Sequence, residues 1–315
     1  MSATPRMSVV MVAGACRRRV EYALEKLCAQ KPLEALEIVV VDVASPALPE
    51  VTIPDGAPVI VVPARGLEHW GEARRLGLER STAPIIAFIE EHCFTEPGWA
   101  VALLEAHEGP WASVGYAFRN ANEDNYVSRS AMMTDYGLWL DPVPRGRVYF
   151  LAGNNVSYKR EAFLSLGERL PDALATDFVA HETFRQRGIP MFVEPKALAR
   201  HMNFNTVRET AITNYVWCRA MAGRRARSLR WSRLRRMVQA LATPATAPVF
   251  RVVRLARTLG GERRLWRQFW TGLPVMTVVA ACAGFGEAAG YLLGSGNAEA
   301  QLKHWELDVE RVPVG

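Results

Sequence analysis

The sequence predicts an α/β fold with a doubly wound, mostly parallel sheet and flanking helices, followed by a C-terminal helical region. One observation is the alternation of short apolar runs with segments of helical spacing, which is typical of parallel sheets. The other is a change in character after residue 206, first to an Arg- and Trp-rich segment and then to an apolar stretch. The expected parts are an α/β domain, basic interfacial helices, and an apolar membrane helix or hairpin with a tail, at residues 1–205, 206–270 and 271–315.

The first half of the chain holds four predicted strands separated by two predicted helices. The second strand ends in Asp42, and the fourth ends where the apolar run meets Glu90. Helical spacing over 17–30 places Val20, Leu24 and Leu27 on one face. The strands are expected at residues 7–13, 37–43, 59–62 and 85–89, and the second helix at 69–80.

The middle of the chain is harder to assign from its pattern. Residues 110–150 are rich in Trp, Tyr, Asn and Pro, and we expect an irregular binding or lid region there. A strand at 156–158 and a helix from Arg160 follow. Thr176 is a candidate N-cap for a helix that ends at Arg187. Residues 190–193 are predicted to form an edge strand.

Cysteine spacing and glycine patterns exclude several classes of protein. The five cysteines are scattered without a CxxC pair, which favours a reducing compartment and argues against a disulfide framework or zinc ribbon. No GxGxxG follows the first strand, and there is no Walker loop. Dinucleotide-binding and P-loop proteins are therefore not expected.

Positive charge is concentrated in one segment. Residues 207–270 contain 15 Arg, no Lys and two acidic residues, so they carry +13 and leave −7 on the rest of a chain whose net charge is +6. Such a segment is expected to meet an anionic partner, either lipid headgroups or nucleic acid. Nucleic-acid binding leaves the apolar stretch 273–293 unexplained, whereas a membrane surface explains both. We therefore expect no nucleic-acid partner and a location at the cytoplasmic face of a membrane.

The apolar stretch 273–293 just reaches the length of about 20 residues that a bilayer crossing needs. Whether it spans or re-enters the membrane is left open by the sequence. Gly286, Gly290 and Gly294 recur at four-residue spacing, which permits close helix–helix contact. A homo-oligomer formed through this glycine-rich helix is one expected consequence.

The most informative residues for function are Glu90, Glu91 and His92, which follow the fourth strand directly. Ligands in open α/β sheets bind beyond the carboxyl ends of the strands. Two carboxylates and an imidazole at that place predict a site for Mn²⁺ or Mg²⁺, with the imidazole favouring Mn²⁺. A solvated acidic loop is the structural alternative. Adjacent side chains on extended backbone diverge, so Glu90 and His92 are the expected ligands.

An ordered set of blocks within residues 7–205 resembles the family-2 glycosyltransferases of GT-A fold. Glu90-Glu91-His92 stands where that family has D-x-D, and the next block, Glu96-Pro97-Gly98-Trp99, matches its E-P-G-W. The other resembling blocks are Val39-Val40-Val41-Asp42, Gly71-Glu72-Ala73-Arg74-Arg75-Leu76-Gly77, Gly153-Asn154-Asn155-Val156-Ser157-Tyr158-Lys159-Arg160, Asp177 eleven residues before Gly188, and Pro195-x-Ala197-x-x-x-His201. Thr176 replaces the Glu of the family's Glu-Asp pair, and Ala13-Gly14-Ala15 replaces its P-T-Y-N.

The resemblance implies an inverting, metal-assisted transfer of a sugar, of hexosyltransferase type, from a nucleotide-sugar donor to an acceptor hydroxyl. It places Ala13, Asp42, Arg74, Glu90 and Glu91 at the nucleotide sugar. It implies Asp177 as the catalytic base with Glu182 as its rival, Asn154 and Asn155 at the sugar or acceptor, and Glu90, His92 and His201 at the metal.

The expected function is the synthesis of a lipid-linked or cell-surface glycan by a membrane-associated enzyme. Two alternatives stay open because of the departures from the family pattern and the basic segment. One is a catalytically inactive membrane scaffold of the same fold. The other is a nucleic-acid-binding protein that uses residues 207–270.

Overall fold

The computed structural model describes residues 4–311. One mixed sheet of nine strands forms its centre. The strands are β1 Met7–Ala13, β2 Leu36–Asp42, β3 Val59–Pro63, β4 Ile85–Glu90, β5 Cys93–Thr95, β6 Ser113–Asn120, β7 Gly146–Val148, β8 Val156–Lys159 and β9 Met191–His201.

Helices flank this sheet and make up nearly all of the chain after residue 206. The helices of the sheet domain are α1 Arg17–Cys28, α2 Trp70–Arg80, α3 Trp99–Ala106, α4 Tyr126–Tyr136, α5 Arg160–Leu164, α6 Leu170–Ala175 and α7 Asp177–Gln186. Those of the C-terminal region are α8 Val207–Ser228, α9 Arg233–Thr258, α10 Arg263–Leu293 and α11 Ala298–Lys303, followed by a π-helical turn, His304–Asp308.

The strand order is β3-β2-β1-β4-β8-β6-β9-β5, with β7 paired to β9. Strands β1 to β4 are mutually parallel, whereas β8 runs antiparallel to β4. Strands β1 and β2 are mostly apolar and are buried at every position, as is typical of parallel strands with helices on both faces of the sheet. Their carboxyl ends bring Ala13, Asp42 and Glu90 to one edge.

The predicted strands and helices of the first half are confirmed to within about two residues at each end. The expected irregular region at 110–150 is wrong, because it contains β6, α4 and β7. Helix α4 buries the polar Ser128 and Ser130, so its sequence lacks a clean apolar face. The isolated edge strand expected at 190–193 is also wrong, because β9 continues to His201 and pairs with three strands. A register shift opposite Tyr116 and Ala117 leaves residues 195–197 of β9 out of the ladder and accommodates Pro195 there.

The C-terminal helices form a layer that packs on the sheet domain. Gly272 of α10 lies against Ser130 of α4, and Met276 of α10 joins the same apolar core as β1, β2 and α1. At the other end of α10, a Cβ on Gly286 or Gly290 would overlap backbone carbonyl oxygens of α8. The glycine spacing thus serves close packing within one chain, and the face proposed for a homo-oligomer is occupied by α8.

Helix α10 is the one helix among the described residues that is long and apolar enough to cross a membrane, and half of its apolar window is buried. Arg264, near the start of α10, reaches the carbonyl oxygen of Asp141, and the segment after α11 returns to the end of β1.

Candidate functional site

Three metal-ligating side chains converge at the carboxyl end of β4. Glu90 ends β4, His92 follows it, and His201 ends β9; the candidate ligand atoms of these residues lie within 4.8 Å of one another. The Glu90 carboxylate oxygen Oε2 is 3.4 Å from His92 Nε2 and 3.3 Å from His201 Nε2. All three residues are buried. The structure therefore brings the predicted metal ligands together.

The imidazoles of His92 and His201 each have a ring nitrogen that can bind a metal ion. Neither ring nitrogen of His92 has a hydrogen-bond partner within residues 4–311, although both are buried. His201 Nδ1 lies 3.0 Å from the Asn203 side-chain oxygen, and this contact leaves Nε2 free to face Glu90. Burial holds the pKa of His92 well below its ordinary value, which keeps the ring neutral with an available lone pair. This donor set fits a divalent cation.

The Gly-Asn-Asn turn and a tyrosine hold the Glu90 carboxylate in place. Asn154 Nδ2 donates to Oε1 at 2.8 Å, Asn155 Nδ2 donates to Oε2, and the Tyr136 hydroxyl donates to Oε2 at 3.0 Å. Asn154 adopts a left-handed backbone conformation with φ of 63°, which Asn tolerates better than most residues. Burial alone would raise the pKa of Glu90, but the neighbouring imidazoles of His92 and His201 outweigh it and bring the pKa well below its ordinary value.

Glu91 points away from this cluster. Its carboxylate accepts the Gly14 backbone N–H at 2.7 Å and pairs with the guanidinium of Arg19. The Glu91 side chain is fully buried and connects Gly14, in the turn after β1, with Arg19 of α1. Ala13, at the end of β1, is also fully buried. The structure places both residues beside the strand ends, with the carboxylate of Glu91 already engaged.

Asp42 and Arg74 lie at two separate places. Asp42 ends β2 and forms ion pairs with Arg17 at 2.8 Å and Arg65 at 3.1 Å. The Arg74 guanidinium, on α2, binds both carboxylate oxygens of Asp177 at 3.0 Å and stacks 3.9 Å above the Phe88 ring. Arg74 is thus directed at Asp177 rather than at open solvent.

Asp177 has all of its carboxylate positions engaged. Besides the two bonds from Arg74, it accepts the Asn154 backbone N–H at 2.8 Å and the Tyr158 hydroxyl at 2.7 Å. A carboxylate has about four lone-pair sites, so none is left for another donor. Burial raises the pKa of Asp177, but the charge and hydrogen bonds of Arg74 outweigh it, and the net pKa is lowered.

Glu182, the rival base, faces elsewhere on α7. It binds Arg185 and Gln186 of the same helix. It does not line the cavity of about 730 Å³ that opens between the sheet domain and helices α8–α10. That cavity is lined by Glu90, His201, Asn154 and Asp177 at the strand ends, and by Trp217, Arg225, Arg251, Arg254 and Glu287 from the helices.

Sequence reasoning missed two acidic residues near the cluster. Asp135 of α4 lines the cavity, where desolvation by the surrounding protein raises its pKa to about 6. Glu306 approaches from the π-helical turn, with Oε2 at 3.6 Å from His92 Nε2. Asp135 lay in the region expected to be irregular, and Glu306 is too distant in sequence for any local pattern to link it to Glu90.

The mixed sheet, with this cluster at the carboxyl end of β4, defines the GT-A fold, and comparison with known proteins agrees. Residues 8–167 match the family model described as Glycosyl transferase family 2. That match spans just over half of the sequence, and the protein belongs to glycosyltransferase family 2. None of the curated proteins matches it.

Solved structures support the fold. The chain is similar to the mannosyltransferase PcManGT from Pyrobaculum calidifontis, solved with GDP-Man and Mn²⁺, with a TM-score of 0.57 and 16% identity. That alignment covers 93% of this chain and 88% of the other, so it extends into the C-terminal helices. It is also similar to GalNAc-T7, solved with UDP, GalNAc and Mn²⁺, at 16% identity over 62% of this chain and 43% of that one, with a TM-score of 0.47. At these identities the likeness concerns the fold alone.

Proposed function

We propose that this glycosyltransferase moves a hexose from a nucleotide-sugar donor to an acceptor hydroxyl with inversion and with the help of a divalent cation. The observation that carries the proposal is the buried cluster of Glu90, His92 and His201 at the carboxyl end of β4. A cation held there would neutralise the negative charge that develops on the leaving diphosphate. The Mn²⁺ in the mannosyltransferase of similar fold supports this choice, with Mg²⁺ as the other candidate.

The remaining predicted site residues take roles around that cluster. Asn154 and Asn155 hold the Glu90 carboxylate and border the cavity in which the transferred sugar would lie. Asp42, at the end of β2, is placed to bind the ribose or base once its ion pairs with Arg17 and Arg65 open. Arg74 acts through Asp177, because the two side chains bind each other.

For the base that removes the acceptor proton, we propose a residue other than Asp177 and Glu182, the two that the sequence suggested. Asp177 has no free acceptor position, and Glu182 lies outside the cavity. We therefore propose Asp135, which faces the cavity that Glu90 and His201 also line. Its pKa of about 6 leaves it ionised at neutral pH yet basic enough to accept a proton.

The test is a panel of nucleotide sugars and acceptors assayed with Asp135→Asn and the control Asp141→Asn, whose parent residue pairs with Arg119 on the surface. Loss of a general base lowers kcat by about 10²–10⁴-fold, so Asp135→Asn should lose transfer and Asp141→Asn should keep it. Equal kcat in the two variants would remove Asp135 from the mechanism. Absence of transfer by the wild-type protein across the panel would instead favour the non-catalytic scaffold, for which the fully engaged Asp177 is the supporting observation.

We further propose that the acceptor is lipid-linked or part of a cell-surface glycan and that the protein works at the cytoplasmic face of a membrane. Helices α9 and α10 each leave apolar side chains exposed, and both helices also carry arginines. Leu241 of α9 is 78% exposed and Phe285 of α10 is 59% exposed. Apolar faces with basic neighbours favour binding in the interface of anionic membranes. The large cavity lies against these same helices and would open towards a lipid-borne acceptor.

A further inference from the structure

The chain returns to the site after α11. Residues 304–311, here the closing segment, lie against the ends of β1 and β2 and beside His92. Arg19 donates to the carbonyl oxygen of Glu306 at 2.9 Å, and Arg311 donates to that of Met202 at 2.8 Å. Asn205 binds the carbonyl oxygen of Arg311 at 2.9 Å. The segment is thus fixed at several points to the catalytic domain.

Leu307 fills a cleft between the strand ends and α2. It is fully buried, and its carbonyl oxygen accepts the Ala15 N–H at 3.1 Å. A Cβ on Gly14 would overlap the Leu307 side chain, so glycine is needed for this approach. The other residues of this apolar cluster are Val12, Val41, Val43, Trp70 and Ala73. Val12, Val43 and Ala73 are the immediate chain neighbours of Ala13, Asp42 and Arg74, for which the resemblance to family-2 glycosyltransferases implies nucleotide binding.

The carboxylate of Glu306 lies beside His92, one of the three residues of the metal cluster. Its Oε2 is 3.6 Å from His92 Nε2, close to the 3.4 Å that separates the same nitrogen from Glu90 Oε2. Ligands bound at about 2.1 Å around a tetrahedral ion lie about 3.4 Å apart. Arg311 pairs with this same oxygen and holds the carboxylate in this position, so binding of a cation there would require the Arg311 contact to loosen. The unpaired, fully buried ring nitrogens of His92 mark the space between these groups as a ligand position.

We propose that the closing segment is an internal ligand of the active site, in which Glu306 is a further ligand of the cation and Leu307 occupies the nucleotide cleft. The inference rests on the proposed function. A donor diphosphate would replace the Glu306 carboxylate at the cation, and its nucleoside would replace Leu307. Donor binding and docking of the closing segment are therefore mutually exclusive.

The structure shows how the segment can leave without unfolding the domain. Helix α11, which precedes it, is held separately by Ala298 and Leu302 in a cluster with α8. Arg224 of α8 also pairs with Glu299 of α11. Release of residues 304–311 breaks the contacts of Leu307, Glu306 and Arg311 and leaves this anchor in place.

The first arm of the test measures Mn²⁺ binding by electron paramagnetic resonance on the full chain without nucleotide. Loss of a ligand or of its support lowers metal affinity by about 10–100-fold, so Glu306→Gln should bind Mn²⁺ at least about tenfold more weakly. Glu310→Gln is the matched control, because Glu310 is an exposed carboxylate of the same segment. Equal Mn²⁺ affinity in Glu306→Gln and wild type would overturn the ligand assignment.

The second arm measures UDP and GDP binding by calorimetry at saturating Mn²⁺. Leu307→Ala weakens docking of the closing segment and so raises the fraction of protein whose nucleotide cleft is open. Whichever of UDP and GDP binds the wild type should therefore bind this variant about tenfold more tightly. Leu293→Ala, at a 74% exposed position, is the control and should match wild type. Unchanged or weaker binding by Leu307→Ala would overturn the competition.

Hydrogen exchange separates release of the segment from general loosening of the fold. The Val309 amide, bonded to the His304 carbonyl oxygen, should exchange faster in wild type when nucleotide and Mn²⁺ are added. Slower or unchanged exchange there would contradict displacement. Failure of both nucleotides to bind every variant would refute the proposed function, and the Mn²⁺ arm would then decide the role of Glu306 by itself.

Discussion

Asp177→Asn should destabilise the protein far more than a typical charge removal. Its carboxylate and the Arg74 guanidinium form a two-bond ion pair in which the side chains are 0% and 1% exposed. The amide nitrogen of asparagine cannot accept the hydrogen bonds that one carboxylate oxygen now receives. The buried guanidinium would lose its only negative partner among the described residues.

The expected loss of unfolding free energy is about 3–5 kcal/mol, the range for breaking one side of a buried pair. Urea unfolding at pH 7 measures it as a lower transition midpoint at unchanged slope. Asp141→Asn provides the control, because its pair with Arg119 is 24% and 45% exposed and should contribute about 0–1 kcal/mol. A midpoint shift for Asp177→Asn as small as that of the control would refute the assignment of Asp177 as a structural anchor.

Three further predictions concern the packing, the pH dependence and the membrane face. Gly290→Val should lower the midpoint of thermal unfolding by several degrees, because the valine side chain would overlap the backbone of α8. The control Gly261→Ala lies in open space and should leave the midpoint unchanged. Equal midpoints for the two variants would contradict the close packing of α10 on α8. Burial lowers the pKa of His107 to about 3 and of His181 to about 4. At a pH below about 6.5, the ordinary pKa of histidine, these two residues are therefore protonated in the unfolded chain but still neutral in the folded protein. The free energy of unfolding should therefore fall by about 2–3 kcal/mol per histidine as the pH is lowered from about 6.5 to 4.5. His107→Gln should reduce this dependence of the unfolding free energy on pH, as measured by urea unfolding at several pH values. An unchanged pH dependence would argue against a neutral, buried His107 ring. Leu241→Asp should reduce flotation with anionic liposomes, and flotation equal to that of wild type would exclude the α9 face.

The parallel half of the sheet was predictable because its strands are mostly apolar runs, and because β2 and β4 end in the carboxylates of Asp42 and Glu90. Strand β6, helix α4 and the full length of β9 were not, because β6 and α4 bury polar side chains and β9 contains Glu194 and Pro195. Local patterns carry no information about a strand whose regularity is broken by a bulge.

Part of the candidate site could likewise be predicted from the sequence, and part could not. Glu90 and His92 could be predicted from their place after β4, and His201 from the order of its block. The partnership of Arg74 with Asp177 could not, since it joins residues of two helices far apart in sequence. The approach of Glu306 depends on a chain path through three long helices, which no short-range pattern encodes.

The central claim is that the cluster at β4 holds the cation that sugar transfer requires. The most direct measurement is the release of nucleotide from nucleotide-sugar donors by chelator-treated protein, before and after Mn²⁺ or Mg²⁺ is restored, for wild type and His92→Ala. The account predicts that wild type regains activity with the cation and that His92→Ala does not at the same cation concentration. Full activity in chelator, or equal recovery by His92→Ala, would contradict it.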